Sequence, residues 1–228
     1  MNNFTRRLKY YGIGFGIGLI MVFFFFGNRG CNWGPENRVK SSILERVLVV
    51  NTENLTELKK KGLSTQDLQK IIEESDIDFG LSKKEESLKV YLFTNEKFKF
   101  IVSLPYESFI AEVSLLNNDA LNFTTSKKGK GKFLSFPKEK DIMYVNESEL
   151  LTCQMREMGI KDNNMLFEII KKTGELDFSA SNFESRPKAE HIIRFTDNKK
   201  RKVAVKTIWM KEKIEVISFN FDTLIPCK

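Results

Sequence analysis

Histidine is nearly absent: His191 is the only one in 228 residues. A paired-histidine dyad and a multi-histidine metal site are therefore excluded. Cysteine is scarce as well. Cys31, Cys153 and Cys227 show no CxxC spacing, which excludes a disulfide-dense miniprotein and argues against a zinc site or a redox dithiol. A phosphate loop is also missing. Ser126-Lys127-Lys128-Gly129-Lys130-Gly131-Lys132 looks like one, but no Ser or Thr follows a Gly-Lys pair and the Walker spacing is absent. The chain is not short of apolar residues, and at 41% it is neither wholly disordered nor collagen-like.

The most concentrated apolar stretch is residues 10–26, which begins Tyr10-Tyr11 and ends in four consecutive Phe, with no charge. At about 1.5 Å per residue it sits at the short end of what crosses a bilayer core. Tyr10 and Tyr11 suit the headgroup region. Gly12, Gly14, Gly16 and Gly18 must be helical there, because only a helix satisfies its own backbone in lipid. No small-x-small cleavage site follows the Phe run. Asn28 and Arg29 stand where a lipoprotein signal ending at Cys31 carries small or aliphatic residues. The expectation is an uncleaved single-pass signal-anchor in the cell membrane, held in the lipid bilayer through residues 10–26. Gly12 and Gly16 fit a small-xxx-small pattern, a weak self-association signal. Arg6, Arg7, Lys9 and the amino terminus precede the span, and Arg29, Arg38 and Lys40 follow it. That near tie tilts toward a cytoplasmic flank and an exported C-terminal portion.

Beyond the span the sequence repeats itself. Val50-Asn51, Leu55, Leu58, Gly62-Leu63, Leu68, Ile71-Ile72 and Asp76-Ile77-Asp78-Phe79 recur as Val145-Asn146, Leu150, Cys153, Gly159-Ile160, Leu166, Ile169-Ile170 and Glu175-Leu176-Asp177-Phe178. Each copy opens with a β-rich run, 47–50 or 142–145. A helix closed by Gly62 or Gly159 follows, as glycine closes a helix that must turn left-handed. The second helix shows apolar residues at helical spacing, with Ser64 and Asp67 as a cap in the first copy. Strand-like runs close each copy: 88–93, 98–104 and 109–115, then 192–195, 203–209 and 214–219. The fold class is α+β, an N-terminal single transmembrane helix followed by two tandem β-α-α-β-β-β domains, each with two helices on an antiparallel sheet. Boundaries fall at 1–27 for the flank and span, 39–116 for the first copy, 117–137 for a basic linker with nothing to bury, and 138–228 for the second copy.

The helix pair with its central Gly-Leu or Gly-Ile, the stretch Asp76 to Ser82 or Glu175 to Ser181, and the anchor features Tyr10-Tyr11-Gly12, Phe15, Ile17-Gly18, Cys31 and Pro35 resemble the domain-of-unknown-function family 4258. The resemblance implies a small α+β fold similar to the RelE/BrnT group, some of whose members are ribonuclease toxins. Simpler members carry a His-Ala and an Arg on the first helix. Here 51–61 has neither His nor Arg, and 146–158 has only Arg156, so the nuclease residues do not carry over.

The remaining chemistry is thin. His191 precedes Ile192-Ile193 and reads as a surface or strand-edge residue. Cys153 aligns with apolar Leu58 and reads as a buried free thiol, while Cys31 and Cys227 lie outside the matched elements of the copies as free thiols or as a bridge in an oxidising compartment. Asp76/Asp78 and Glu175/Asp177 supply too few ligands for a metal. The recurrence of Asp78 and Ser82 as Asp177 and Ser181 points instead to a repeated side chain–backbone bond. Lys199-Lys200-Arg201-Lys202 reads as a hairpin tip. The net charge of +7 gathers in the membrane flank and in Lys127, Lys128, Lys130 and Lys132, and residues 39–124 and 133–228 together carry −1. No catalytic, cofactor-binding or metal residue is assigned. The expected role is a non-catalytic binding or scaffolding module with a protein partner and without nucleic acid. The alternative is a cytoplasm-facing nucleic-acid-binding or degenerate RelE/BrnT-like ribonuclease module.

Overall fold

A computed structural model describes residues 3–26, 34–60, 68–84, 88–96, 99–106, 108–116, 125–137, 142–210 and 213–227. Helix α1, Asn3–Phe26, continues the apolar run back through its basic flank. The stretch Phe4–Phe24 is long and apolar enough to cross a membrane. Helix α2, Pro35–Leu44, follows.

Residues 40–228 form one compact unit. Its elements are β1 (Val47–Asn51), α3 (Thr52–Lys60), α4 (Leu68–Glu74), β2 (Asp76–Lys84), β3 (Leu88–Thr94), β4 (Lys99–Pro105), β5 (Ile110–Leu115), β6 (Lys130–Ser135), β7 (Met143–Val145), α5 (Glu149–Met158), α6 (Asn163–Thr173), β8 (Glu175–Asn182), β9 (Glu190–Thr196), β10 (Lys202–Met210) and β11 (Lys213–Phe221). All the strands join one sheet in the order β2-β3-β4-β5-β1-β6-β8-β9-β10-β11-β7. The order β2-β3-β4-β5-β1 on one side of β6 is matched by β8-β9-β10-β11-β7 on the other. In each half the strand before the helices runs parallel to the last one, β1 with β5 and β7 with β11, and the other pairs are antiparallel.

The expected α+β class holds, with two corrections. Each half carries four strands after its helices, not three, because Asp76–Lys84 and Glu175–Asn182 are strands. Both are bulged: between Asp78 and Lys83 the partner advances only from Leu92 to Val90, and between Asp177 and Asn182 only from Ile192 to Glu190. The bulge breaks the alternation that marks a strand in sequence. The second correction concerns the linker. Residues 130–135 form β6, which pairs antiparallel with β1 and with β8 and fuses the two half-sheets. Gly131 makes this possible. A Cβ there would lie 2.6 Å from Val49 Cγ1 and 2.8 Å from the Phe178 ring.

Helix ends follow local rules in the second half. Ser148 caps α5 by accepting from Leu151 N–H, and Asp162 caps α6 by accepting from Met165 N–H. Gly159 closes α5 at φ 73°, with its N–H and that of Ile160 returning to Arg156 and Met155 carbonyls. The matching Gly62, Ser64 and Asp67 lie outside the described residues.

One buried apolar cluster reaches into both halves, while Val90, Leu92 and Ile101 form another within the first half. Val47, Val49, Phe109 and Ile110 belong to the same buried cluster as Leu166 and Ile170 of α6 and Leu176, Ile193, Val205 and Trp209 of the second half. The sheet curls to bring them together. Leu88 and Lys89 on β3 share a cleft with Trp209 and Met210 on β10, although β3 and β10 lie far apart in the strand order. Flat, that separation would be about 33 Å at about 4.8 Å per strand. Accumulated strand twist closes the distance.

Candidate functional site

The cleft left by this curl holds about 250 Å³. Its floor is made of Leu88, Leu104, Phe109 and Trp209, and its rim carries Glu45, Arg46, Lys89 and Lys188. Arg46 is fixed there by donating from Nη1 to the Ser108 carbonyl.

Below the floor lies His191, fully buried. It is a core residue on an inner strand, not the surface or strand-edge residue the sequence suggests, because Ser108 arrives from the other half to meet it. Ser108 Oγ lies 2.9 Å from His191 Nε2. The imidazole stacks on Trp209 with centroids 4.6 Å apart and meets the edge of Phe183 at 5.1 Å. Trp209 Nε1 donates to Thr207 Oγ1, which donates to the His191 carbonyl at 3.1 Å. Burial pushes the imidazole pKa down to about 3, against a small opposing pull from the Ala189 backbone. A serine beside a histidine invites comparison with a nucleophile and its base. Two facts oppose that use: the base is too weak at neutral pH, and among the described residues no carboxylate meets Nδ1 to orient the ring.

A second buried polar cluster joins the strands to the segment ahead of β6. Glu112, 1% exposed, accepts from Ser126 N–H at 2.8 Å and from Ser126 Oγ–H. Asn51 Nδ2 donates to Ser126 Oγ and to the Lys128 carbonyl, both at 3.1 Å. Burial lifts the Glu112 carboxyl to about 7 even though both Ser126 bonds pull it down. The cluster clamps residues 126–128 over the sheet. Sequence reasoning passed over Glu112, whose only signal was an acid inside the apolar run 109–115.

Of the four paired acids, Asp78 and Asp177 bond to their own local backbone. Asp78 Oδ1 accepts from Gly80 and Leu81 N–H, and Ser82 Oγ donates to the Asp78 carbonyl at 2.6 Å while accepting from Leu92 N–H. Asp177 accepts from Ala180 N–H, and Ser181 Oγ donates to the Asp177 carbonyl at 2.6 Å while accepting from Ile192 N–H. The same bond set therefore stitches both bulges, as the recurrence predicts. Burial raises the Asp177 pKa, but Arg194 and the N–H groups of Ala180 and Ser179 outweigh it and leave the carboxyl below its usual range. Glu175 pairs with Lys130 at 2.8 Å, and Asp76 is exposed.

In the basic run, Lys199 to Arg201 form the turn ahead of β10, and two of its charges, Lys199 and Arg201, are paired. Asp197 takes the Lys199 and Arg201 N–H groups and the Arg201 guanidinium, and Glu157 pairs with Lys199 at 3.1 Å. Cys153 is not a free thiol. It is bonded to Cys227 across a separation of 74 residues, which rules out both options for Cys227, a free thiol and a bridge to Cys31. Cys31 lies outside the described residues. Among the described residues no group of three or more His, Cys, Asp or Glu is placed to hold a metal. No family model matches the chain, and no match is found among curated proteins or solved structures.

Proposed function

We propose that the chain is a single-pass membrane protein whose α+β portion faces the exported side and works as a non-catalytic binding or scaffolding module, with the cleft at its junction as the recognition surface. The observation that carries this reading is the Cys153–Cys227 bond. Disulfides form and persist in oxidising compartments and are rare where thiols are kept reduced. Combined with α1 as the anchor, the bond favours the orientation toward which the flanking charges only tilt. The weak, enclosed base at His191 supports binding over catalysis.

Under this reading the two halves are tandem copies of one domain that resembles family 4258, interlocked through β6. The matched strand orders and the twice-built Asp-Ser stitch support duplication. Gly12 and Gly16 keep the small-xxx-small spacing that lets a second anchor helix approach closely. The test is a pair of C-terminal fusions, one to a reporter active only outside the cytoplasm and one to a reporter active only within it. The first is expected to be active and the second silent. The reverse pattern removes the exported module.

A further inference from the structure

We propose that the outer edge of β7 is a second recognition surface, which takes an antiparallel strand from a partner protein as β1 takes β6. The first half already contains such a pairing. β1 and β7 hold the same place in the matched strand orders. Their registers agree too: Val49 stands beside Glu112, and Tyr144 beside Glu215. Beyond β1 lies β6, whereas among the described residues no strand lies beyond β7. Ile142 gives its carbonyl to Ile214 N–H on the β11 side, so alternation turns the N–H and C=O groups of Met143 and Val145 outward. Their counterparts Leu48 and Val50 lie opposite Ser135 and Lys132 of β6. Coverage shows in the side chains as well: Val49 is 0% exposed and Tyr144 37%.

The covered edge also shows what an occupant needs. Ser126, ahead of β6, donates its N–H and Oγ–H to Glu112, and Asn51 Nδ2 reaches the same Oγ. Gly131 then passes Val49 with no room for a Cβ, and Phe133 lies opposite Val49. The second half repeats the receiving set as Glu215, Asn146 and Tyr144. Asn146 is exposed and Glu215 half-buried, and among the described residues neither side chain is hydrogen-bonded or ion-paired. The fitting partner is an extended segment carrying a serine, then a glycine and an apolar ring at the spacing of β6. In strand addition of this kind main-chain bonds supply affinity and side-chain sites supply selectivity. A second copy of this chain is a poor occupant. Its β6 is already held by β1 and β8, and two β7 strands of three residues would share little contact.

The inference rests on the binding role proposed above, yet the two fail separately. Reporter fusions read the side of the membrane, and the experiment below reads only β7. The full chain in neutral phosphatidylcholine discs is titrated with a synthetic peptide copying residues 126–135, followed by hydrogen–deuterium exchange at residue resolution. The Met143 and Val145 amides should exchange fast without peptide and about tenfold more slowly at saturation, with β1 and β8 unchanged. Two methylated peptides test the pairing itself. Gly129 gives its carbonyl to Phe178 on β8, so alternation turns Lys132 N–H toward β1 and Phe133 N–H away from it. N-methylation at Lys132 should therefore weaken binding about tenfold, and N-methylation at Phe133 should leave it unchanged. The Glu215→Ala/Asn146→Ala double variant should also bind the parent peptide about tenfold more weakly, its unshifted melting midpoint showing that it is folded. Met143 and Val145 amides already protected without peptide, no protection with it, protection at β1 or β8 instead, equal binding of the two methylated peptides, or undiminished binding by the folded double variant overturns the proposal.

Discussion

Glu112 and His191 both resist charging inside the fold, and they bend stability against pH in opposite directions. The Glu112 carboxyl stands at about 7 against an ordinary 4.5, so the folded state holds its proton more tightly than the unfolded one. Its contribution is full below pH 4.5 and is lost as pH rises to about 7. The His191 ring stands at about 3 against 6.5, so its neutral form favours folding above pH 6.5 and costs stability as pH falls toward 3. The two slopes overlap and partly cancel. Glu112→Gln keeps an oxygen for the Ser126 N–H and removes one slope. Its stability advantage over wild type should grow between pH 4.5 and 7, reaching roughly 3 kcal/mol, as chemical denaturation at stepped pH would show. A constant difference across that window contradicts the assignment. Ser108→Ala leaves the His191 imidazole without its 2.9 Å partner and should cost about 1–3 kcal/mol in the same measurement. Neither group was legible in the sequence. Ser108 and His191 are 83 residues apart, and only the curl of the sheet makes them neighbours. By contrast Asp78, Ser82, Asp177 and Ser181 were readable, because their bonds are local and occur twice.

At the scale of elements, β6 decides whether there is one sheet or two. Gly131 sits between Val49 and Phe178 with no room for a side chain. Gly131→Ala is expected to destabilise by about 1–3 kcal/mol through overpacking. It should also raise amide exchange in β1, β6 and β8 before the outer strands, read by hydrogen–deuterium exchange. Uniform loosening, or none, would mean the seam does not depend on β6. Helices α5 and α6 and strands β3, β4, β9 and β10 were legible because their apolar spacing and turns are written locally. Strands β2, β6 and β8 were not. Two are bulged, and β6 is short, lysine-rich and stabilised by neighbours distant in sequence.

The whole molecule joins an apolar helix fit to span a bilayer to a unit in which both halves share one buried cluster. The Cys153–Cys227 bond ties α5 to the chain beyond β11. Closing a loop of 74 residues is worth about 4 kcal/mol, so Cys153→Ser or Cys227→Ser should lower unfolding stability by roughly that amount. Reducing agent should do the same to wild type and nothing further to either variant. Cysteine spacing could not reveal this pairing, since Cys153 sits at a helix position that is apolar Leu58 in the first half. The most direct test of the exported, anchored reading is thiol trapping in intact cells: acid quench, alkylation of free thiols, then peptide mapping by mass spectrometry. The account predicts a Cys153–Cys227 linked peptide with neither residue alkylated. Both residues recovered alkylated from unstressed cells would contradict it.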